Sequence, residues 1–349
     1  MARRPDLGYF DDGLNLTDPQ TYASAIRPFG EASVLPPVAH RSIAFDYLED
    51  EAIWSRAWVA VGTVHDIPAA NDILPYTLGY HGIHVQRMSD DSFVGRFNMA
   101  QHGGCRMVPD QCQNGTKTRC SFTSCGYSRD RGPIDAVEER ATPRLSHQYL
   151  GLRPERLLPV QVARNGSLLI VTLNTGATAL DPTDLQIWNV PPVAGHWMGV
   201  AANWKLVAQS LARCSVLTSQ TDTRLNGSRD DGTIGVTWMH PNVVILTSAE
   251  TQCLVIVQPT AMSKTLMRIS MFATSKDSAN TVWQSELDAA AELALALQSI
   301  EGGLAGVPSH KQTDAVGYWA QRTLIDQIAA MPRVTIDVPM MQPKRSYMR

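Results

Sequence analysis

Four consecutive runs of β-branched and other apolar residues constrain the fold of this chain more than any other feature. They read TIGVTWMH, NVVILTS, QCLVIVQPT and TLMRISMFATS, lie between residues 233 and 275, and are separated by turn residues. Such runs predict four antiparallel strands. Two helical patterns follow: one starts near Ser285 and ends at Gly302-Gly303, and the other covers residues 314–331. Strands followed by helices predict an α+β protein.

The preceding part of the chain carries shorter elements. Apolar residues at helical spacing predict a helix over residues 45–62, which opens the folded part, and short strands follow between residues 73 and 98. The segment VQVARNGSLLIVTLN predicts a hairpin with a type I′ turn at Asn165-Gly166. A further amphipathic pattern predicts a helix over residues 203–219.

Length and composition limit the classes of function. A chain of 349 residues fits two domains, and 44% hydrophobic with 18% charged residues is typical of a globular protein. The formal net charge of −3 provides no basic surface field, so nucleic acid is excluded as a main partner. No apolar stretch reaches the roughly 18 residues of a membrane span, and no secretion signal is recognised. We therefore expect a cytoplasmic protein with no membrane partner.

Four of the six cysteines lie close together in a segment rich in Gly, Ser and Asn. They are Cys105, Cys112, Cys120 and Cys125, and His102 lies just before them. In a cytoplasmic chain such a group favours metal or redox chemistry over disulfides. A zinc site is one alternative, although the spacing contains no C-x2-C pair. A Cys105–Cys125 disulfide is another, and free thiols are a third.

This segment, FNMAQHGGCRMVPDQCQNGTKTRCSFTSCGYSRDRG, resembles the cluster-binding segment of Rieske non-haem iron oxygenase α subunits of the aromatic ring-hydroxylating type. The family form is N-x-C-x-H-R-G, a spacer, and C-P-Y-H-G-W-x-Y; Asn98, His102, Gly104 and Cys120 match it. The stretches EDEAIWSRAWVAVGTVHDIP, LLPVQVARNGSLLIVTLN and NWKL resemble further parts of the family sequence. Nearly the whole chain is covered by the resemblance.

The resemblance implies a domain organisation as well as a fold. Residues 1–42 are expected to form an amino-terminal arm. Residues 43–175 are expected to form a Rieske-like β-sandwich domain with cluster loops near 98–106 and 119–127. Residues 176–349 are expected to form a helix-grip (START-like) domain with a large antiparallel sheet and long helices.

The cluster positions implied by the resemblance have lost half of their ligands. A Rieske [2Fe–2S] centre needs two thiolates and two imidazoles. Here Ala100 stands where the first cysteine belongs and Thr123 where the second histidine belongs, so that only His102 and Cys120 remain. We expect these to be vestigial positions that bind no cluster.

The implied mononuclear iron site has lost all three ligands. The family uses two histidines and one aspartate, and the corresponding residues here are Val216, Thr221 and Leu293. A non-haem Fe(II) site requires imidazole and carboxylate donors, which these side chains do not provide. We therefore expect no metal, no other cofactor and no catalytic residue in this chain.

These substitutions lead to a functional hypothesis. The chain is expected to be a non-catalytic α-type subunit that stabilises or modulates an active α paralogue in a ring-shaped hetero-oligomeric oxygenase. The partner would hold the [2Fe–2S] cluster and the Fe(II), and a reductase or ferredoxin would act through it. Two alternatives remain open: an active monooxygenase or dioxygenase with displaced ligands, and a pseudoenzyme that binds an apolar ligand.

Overall fold

The structure is a computed structural model. It describes residues 8–97, 118–119, 126–128, 132–133, 158–178, 187–229, 232–273, 276–303 and 312–331.

The chain is folded from the first described residues onward. Two short strands and a single 3-10 turn lead into two short helices, and a π-helical turn extends the second helix; the bounds are β1 Phe10–Asp11, β2 Leu14–Asn15, 3-10 turn Pro19–Tyr22, α1 Val38–Arg41, α2 Ile43–Glu49 and π turn Asp50–Trp54. Leu16 and Tyr22 are buried. The prediction that the folded part opens with a helix near residue 45 is therefore wrong.

The predicted helix over residues 45–62 is correct only in its first half. Ser42 caps α2 by accepting the N–H groups of Ala44 and Phe45. Residues Val59–Thr63 then form strand β3, in which every residue is buried. Its β-branched residues gain more by pairing in a buried sheet than by continuing a helix.

A six-stranded antiparallel sheet follows, in the order β3-β11-β10-β6-β5-β4. Its other strands are β4 Ile73–Leu78, β5 His81–Arg87, β6 Phe93–Phe97, β10 Pro159–Asn165 and β11 Leu168–Thr172. Three short strands, β7 Thr118–Arg119, β8 Gly126–Ser128 and β9 Gly132–Pro133, form a separate three-stranded sheet.

The predicted hairpin is confirmed, but its turn type is not. Asn165 pairs with Leu168, so the two central turn residues are Gly166 and Ser167. The φ angle is positive at Gly166 (56°) and not at Ser167. A positive φ at the first central position alone is typical of a type II′ turn, for which glycine is the favoured residue.

The second sheet has seven antiparallel strands in the order β12-β18-β17-β16-β15-β14-β13. The bounds are β12 Ala194–Val200, β13 Val216–Gln220, β14 Arg224–Arg229, β15 Ile234–Met239, β16 Val243–Thr247, β17 Thr251–Ala261 and β18 Lys264–Ala273. The last four are the strands predicted between residues 233 and 275, and the antiparallel arrangement is confirmed. The α+β class is likewise confirmed.

Three helices accompany this sheet: α3 Trp204–Leu211, α4 Lys276–Glu301 and α5 Ala315–Ala329. The helix predicted over residues 203–219 ends at Leu211, because the residues from Val216 onward pair with β14 as an edge strand. Helix α4 begins well before Ser285, which lies on its exposed side and is no cap. Helix α5 starts after Asp314, whose carboxylate accepts the N–H of Gly317 at 2.7 Å.

One buried asparagine joins the two large sheets. The Asn242 Oδ1 accepts the N–H of Ala60 at 3.0 Å, and its Nδ2 donates to the Ala60 carbonyl at 2.9 Å. The amide thus pairs with the β3 backbone as a neighbouring strand would, and the apolar core continues from one sheet to the other. None of the described helices has the length and apolar character needed to cross a membrane.

Candidate functional site

Helix α3 carries the N-W-K sequence and is held tightly at its start. Asn203 is the N-cap: its Oδ1 accepts the N–H of Lys205 at 3.1 Å. The Asn203 N–H donates to Gln298 Oε1 of α4 at 2.8 Å, and its Nδ2 donates to the carbonyl of Met262 at 2.8 Å. One side chain and its backbone therefore fix α3 to both α4 and the β17–β18 turn.

The next two residues bind a glutamate from the first part of the chain. Trp204 Nε1 donates to Glu49 Oε2 at 2.9 Å, and Lys205 Nζ contacts Glu49 Oε1 at 2.5 Å, with all three side chains buried. The indole of Trp204 also packs edge-on against Trp54, with ring centroids 5.0 Å apart. The N-W-K residues thus have a structural role, because they attach α3 to α2.

Burial and ion pairing shift the pKa values of Glu49 and Lys205 in opposite directions. Burial raises the pKa of Glu49 and lowers that of Lys205, while the charge of each partner opposes the shift of the other. Lys205 Nζ also lies 5.2 Å from the centroid of the Phe45 ring, which favours a cation.

A second buried group lies beside Lys205. His40 Nε2 is 3.8 Å from Glu301 Oε2. Burial, together with the positive charge of Lys205, holds the pKa of His40 well below its usual range, so the imidazole is neutral at pH 7. His40, Lys205, His240 and Glu301 line a cavity of about 20 Å³, which has room for one water molecule.

The carboxyl end of α3 is held by an arginine from β14. Arg229 donates through Nε to the carbonyl of Arg213 at 2.8 Å and through Nη2 to the carbonyl of Leu211. Its Nη1 pairs with Glu286 of α4, and Arg213 reaches the same carboxylate at 3.5 Å. A guanidinium is a favourable cap here because the last carbonyls of a helix are unpaired and carry partial negative charge.

The structure does not bring the three predicted iron positions together. Val216 lies on edge strand β13 with 57% of its surface exposed, Thr221 is exposed in the turn that follows, and Leu293 is half-buried on α4. Five residues of extended chain span roughly 16 Å, so Val216 and Thr221 are too far apart to share one metal ion. The side chains also lack imidazole and carboxylate groups, and neither the geometry nor the donor set fits Fe(II).

The predicted cluster positions, Ala100, His102, Cys120 and Thr123, lie outside the described residues. The same is true of Cys105, Cys112 and Cys125. Across the part of the chain that the structure describes, no group of three or more His, Cys, Asp or Glu side chains could hold a metal ion.

Two buried charges of this site were missed by sequence reasoning, although the sequence contains a signal for each. In α2 the inward positions are Phe45, Leu48 and Glu49, so the glutamate occupies a place in the apolar stripe. In β14 burial alternates, and Arg229 falls on the inward side with Leu225. A charge at an inward position indicates a buried partner.

Sequence comparison finds distant relatives among oxygenases. No protein-family model matches the chain. It is 23% identical over 217 residues to the oxygenase subunit of glycine betaine monooxygenase from Pseudomonas aeruginosa, which is 58% of this chain and 49% of that protein. It is 24% identical over 212 residues to the α subunit of biphenyl 2,3-dioxygenase from Rhodococcus jostii, covering 55% and 44%. The chain thus spans about half the length of the curated relatives it matches.

Solved structures share the fold over most of their length. The quaternary ammonium Rieske monooxygenase CntA superposes with a TM-score of 0.60 and 15% identity, covering 85% of this chain and 96% of that one. Naphthalene 1,2-dioxygenase from Rhodococcus sp. gives a TM-score of 0.62 at 12% identity, covering 89% and 98%. By sequence and fold together, the chain is a distant relative of the Rieske oxygenase α subunits.

Proposed function

We propose that this chain is a non-catalytic α-type subunit of a Rieske-type oxygenase. In this proposal it assembles with a catalytic α paralogue, which holds both the [2Fe–2S] cluster and the mononuclear iron. The chain would stabilise or modulate that partner, and a reductase or ferredoxin would deliver electrons to the partner alone.

The arrangement after α3 is the observation that carries this proposal. The positions that correspond to the iron ligands are Val216, Thr221 and Leu293, and the first two lie on a solvent-exposed edge strand and its turn. Arg229, with 3% of its side chain exposed, holds the end of α3 with its guanidinium. A buried guanidinium near this position disfavours a divalent cation by charge repulsion.

The structural role of the N-W-K residues supports the same proposal. Asn203, Trp204 and Lys205 contact Glu49, Gln298 and the β17–β18 turn, so they maintain the fold without a metal. The presence of the N-W-K residues is therefore compatible with the absence of iron ligands beyond the other end of the helix. The names of the relatives, "oxygenase subunit" and "subunit alpha", support the idea of a multi-component assembly.

The two alternatives gain no specific support from the described residues. An active oxygenase with displaced ligands needs a new set of donors. His196 lies on β12, and His240 bonds Gln327 Oε1 at 2.9 Å, so these two histidines belong to different parts of the fold. An internal apolar pocket lined by Val216 is inconsistent with the exposure of that side chain.

The proposal is tested by co-expression and metal analysis. The chain is produced alone and together with an affinity-tagged catalytic α paralogue from the same genome. We expect the chain alone to bind no stoichiometric iron and to lack the visible absorption of a [2Fe–2S] cluster. We also expect the tagged paralogue to retain the chain on the affinity resin at a fixed molar ratio. Two irons per chain with red-brown absorption in the protein purified alone would overturn the proposal.

A matched variant separates a specific assembly from nonspecific retention. An Asp326→Lys change reverses a charge at an exposed position of α5, whereas Lys205→Glu places two carboxylates together at the buried junction with Glu49. We expect the paralogue to retain the first variant and to lose the second, because only the second disturbs the folded subunit. Equal retention of both would contradict assembly through the folded chain.

A further inference from the structure

The small cavity beside Lys205 is formed by segments that lie far apart in the chain. His40 of α1, Lys205 of α3 and Glu301 at the end of α4 line it, together with His240 from the connection between β15 and β16. Its volume of about 20 Å³ exceeds the roughly 10–15 Å³ that one water molecule requires. A cavity of this size admits one water molecule or one monatomic ion and excludes organic ligands.

Three polar side chains in the wall of this cavity have hydrogen-bonding capacity that the described residues leave unused. Neither ring nitrogen of His40 has a hydrogen-bond partner, since even Glu301 Oε2 lies 3.8 Å from its Nε2. The Nδ1 of His240 has no partner either. Buried polar groups are normally satisfied by the protein or by an ordered water molecule.

Lys205 is the third of these side chains. Its ammonium has three N–H donors, and Glu49 Oε1 is the one acceptor that the described residues provide. The rings of Phe45 and Trp204 lie 5.2 and 5.4 Å from Nζ and offer no oxygen or nitrogen acceptor. Lys205 can therefore donate a further hydrogen bond.

The hydrogen-bonding roles of the two imidazoles follow from their surroundings. His240 Nε2 bonds Gln327 Oε1 at 2.9 Å, and because an amide oxygen only accepts, the ring proton lies on Nε2 and leaves Nδ1 as an acceptor. Burial lowers the pKa of both His40 and His240, so each ring is neutral at pH 7. A neutral His40 also has one acceptor nitrogen. The wall thus offers one donor group and two acceptors.

The charges around the cavity favour a neutral occupant. The ammonium of Lys205 disfavours a cation, and the carboxylates of Glu49 and Glu301 disfavour an anion. Water is neutral and can accept one hydrogen bond while it donates two, which is the combination that this wall requires.

We propose that one water molecule is bound in this cavity as an integral part of the folded chain. It accepts an N–H of Lys205, donates one hydrogen to His40 and donates the other to Nδ1 of His240. Three hydrogen bonds are typical of a buried water molecule. The water thereby connects α1, α3 and the β15–β16 turn. Its binding is independent of the proposed assembly with a catalytic paralogue.

Crystals of the full chain, one set of them grown with bromide as the only halide, identify the occupant. We expect a single density peak at hydrogen-bonding distance, about 2.7–3.2 Å, from Lys205 Nζ, His40 and His240 Nδ1. We expect no anomalous signal from this peak in the bromide crystals. An empty cavity would overturn the proposal, and so would an anomalous peak, because it would identify an anion.

Oxygen-17 relaxation dispersion tests the same site in solution, since it counts long-lived internal water molecules. We expect His40→Leu to have one such water fewer than the wild type, because one of its three hydrogen bonds is lost. His240→Leu removes the other acceptor and should give the same loss, so the test does not depend on the folding of one variant. His196→Leu is the control, because this half-buried histidine of β12 lies outside the cavity. An unchanged count in a folded His40→Leu or His240→Leu protein would contradict the proposal.

Discussion

At the scale of single residues, the main feature is a charge pair at each end of α3. Glu49 and Lys205 lie at its start, and Glu286 and Arg229 at its end. The first pair joins α3 to α2, whereas the second joins β14 to α4 and holds the end of α3 through the bonds of Arg229 to the carbonyls of Leu211 and Arg213. Buried pairs of this kind add little net stability, but removal of one partner is costly because it leaves a buried charge alone.

Replacement of Lys205 by methionine tests the first pair. The Lys205→Met variant leaves Glu49 buried without its cation, and we expect it to lose about 3–5 kcal/mol of unfolding free energy. Urea denaturation measures this loss. The double variant with Glu49→Gln should recover part of it, while Lys264→Met, at an exposed lysine, should change stability little. A single variant as stable as the double variant would contradict a direct ion pair.

Three buried histidines make stability dependent on pH. Burial lowers the pKa of His84 to about 3 and that of His240 to about 4, and the pKa of His40 is also lowered. These rings stay neutral in the folded protein, whereas the unfolded chain takes up protons below pH 6.5. Their contribution is therefore present above that pH and is lost as the pH falls toward 4; at pH 5 the loss is about 2 kcal/mol for His84 and about 2 kcal/mol for His240.

The two histidines of β5, His84 and His81, allow this pH dependence to be tested. Urea midpoints of the wild type and of His84→Gln are compared between pH 7 and pH 5. We expect the variant to show a smaller decrease, since one buried neutral ring is gone. The same change at His81, on the half-exposed side of β5, should leave the His84 contribution in place. An identical pH dependence in wild type and His84→Gln would refute the assignment.

At the scale of elements, the end of α3 and the start of β13 determine whether residues 216 and 221 can lie close enough to bind one metal ion. The carbonyls of Leu211 and Arg213 are bound by Arg229, and after a short connection the chain becomes an extended edge strand. The helix that would place residues 216 and 221 on neighbouring turns is therefore absent.

The arginine cap can be tested against its exposed neighbour. Arg229→Met removes the bonds to the carbonyl of Leu211 in α3 and to that of Arg213 just after it, together with the buried partner of Glu286, and we expect a loss of unfolding free energy of about 3 kcal/mol or more. Arg213→Met removes a partly exposed contact to the same carboxylate and should cost about 1 kcal/mol or less. Thermal and urea unfolding distinguish the two. Equal losses would show that Arg229 has no special role.

Restoring the family ligands is a second test at this scale. The triple variant Val216→His, Thr221→His and Leu293→Asp supplies the donor groups that Fe(II) favours, but on an extended strand and a turn. We expect no stoichiometric binding of Fe(II) or of Co(II) as a spectroscopic probe, because the two imidazoles lie roughly 16 Å apart along the chain. Tight binding of one metal ion per chain would show that this segment can become helical.

The elements with a regular pattern were predictable, and those decided by distant contacts were not. The strands between residues 233 and 275, the 160–174 hairpin and α5 follow from alternation, turn residues and caps. The end of α3 depends on Arg229, and β3 depends on pairing with β11. A local pattern contains neither contact, so the apolar spacing predicts helices over residues 212–219 and 55–62, where the structure has a helix end and strands.

For the candidate site, the resemblance predicts Val216, Thr221 and Leu293 as the positions that correspond to iron ligands, and none of these side chains carries an imidazole or a carboxylate. It did not indicate Glu49, His40 or Glu286, because these residues acquire their partners only when segments far apart in the chain meet.

At the scale of the whole molecule, the amide of Asn242 directly links the two large sheets by hydrogen bonds. Asn242→Ala leaves the N–H and the C=O of Ala60 buried without a partner, and we expect a loss of about 2–4 kcal/mol. Asn226→Ala is the control, since that amide bonds the side chains of Ser219 on β13 and Thr237 on β15, which belong to the same sheet as Asn226. Calorimetry measures both variants. A loss no larger than that of the control would show that other contacts hold the sheets together.

The packing of the amino-terminal segment against α5 has a consequence for synthesis of the chain. Gln321 Nε2 donates to the carbonyls of Ala25 and Ser33, which lie 296 and 288 residues earlier, and Ser33 forms a bridge with Gln312. A ribosome exposes residues 8–33 long before α5 emerges. The 3-10 turn Pro19–Tyr22 must therefore remain without its contacts to α5 until that helix has been synthesised, and contacts this distant in sequence form slowly. A nascent chain halted before residue 312 should consequently be a preferred substrate for chaperones.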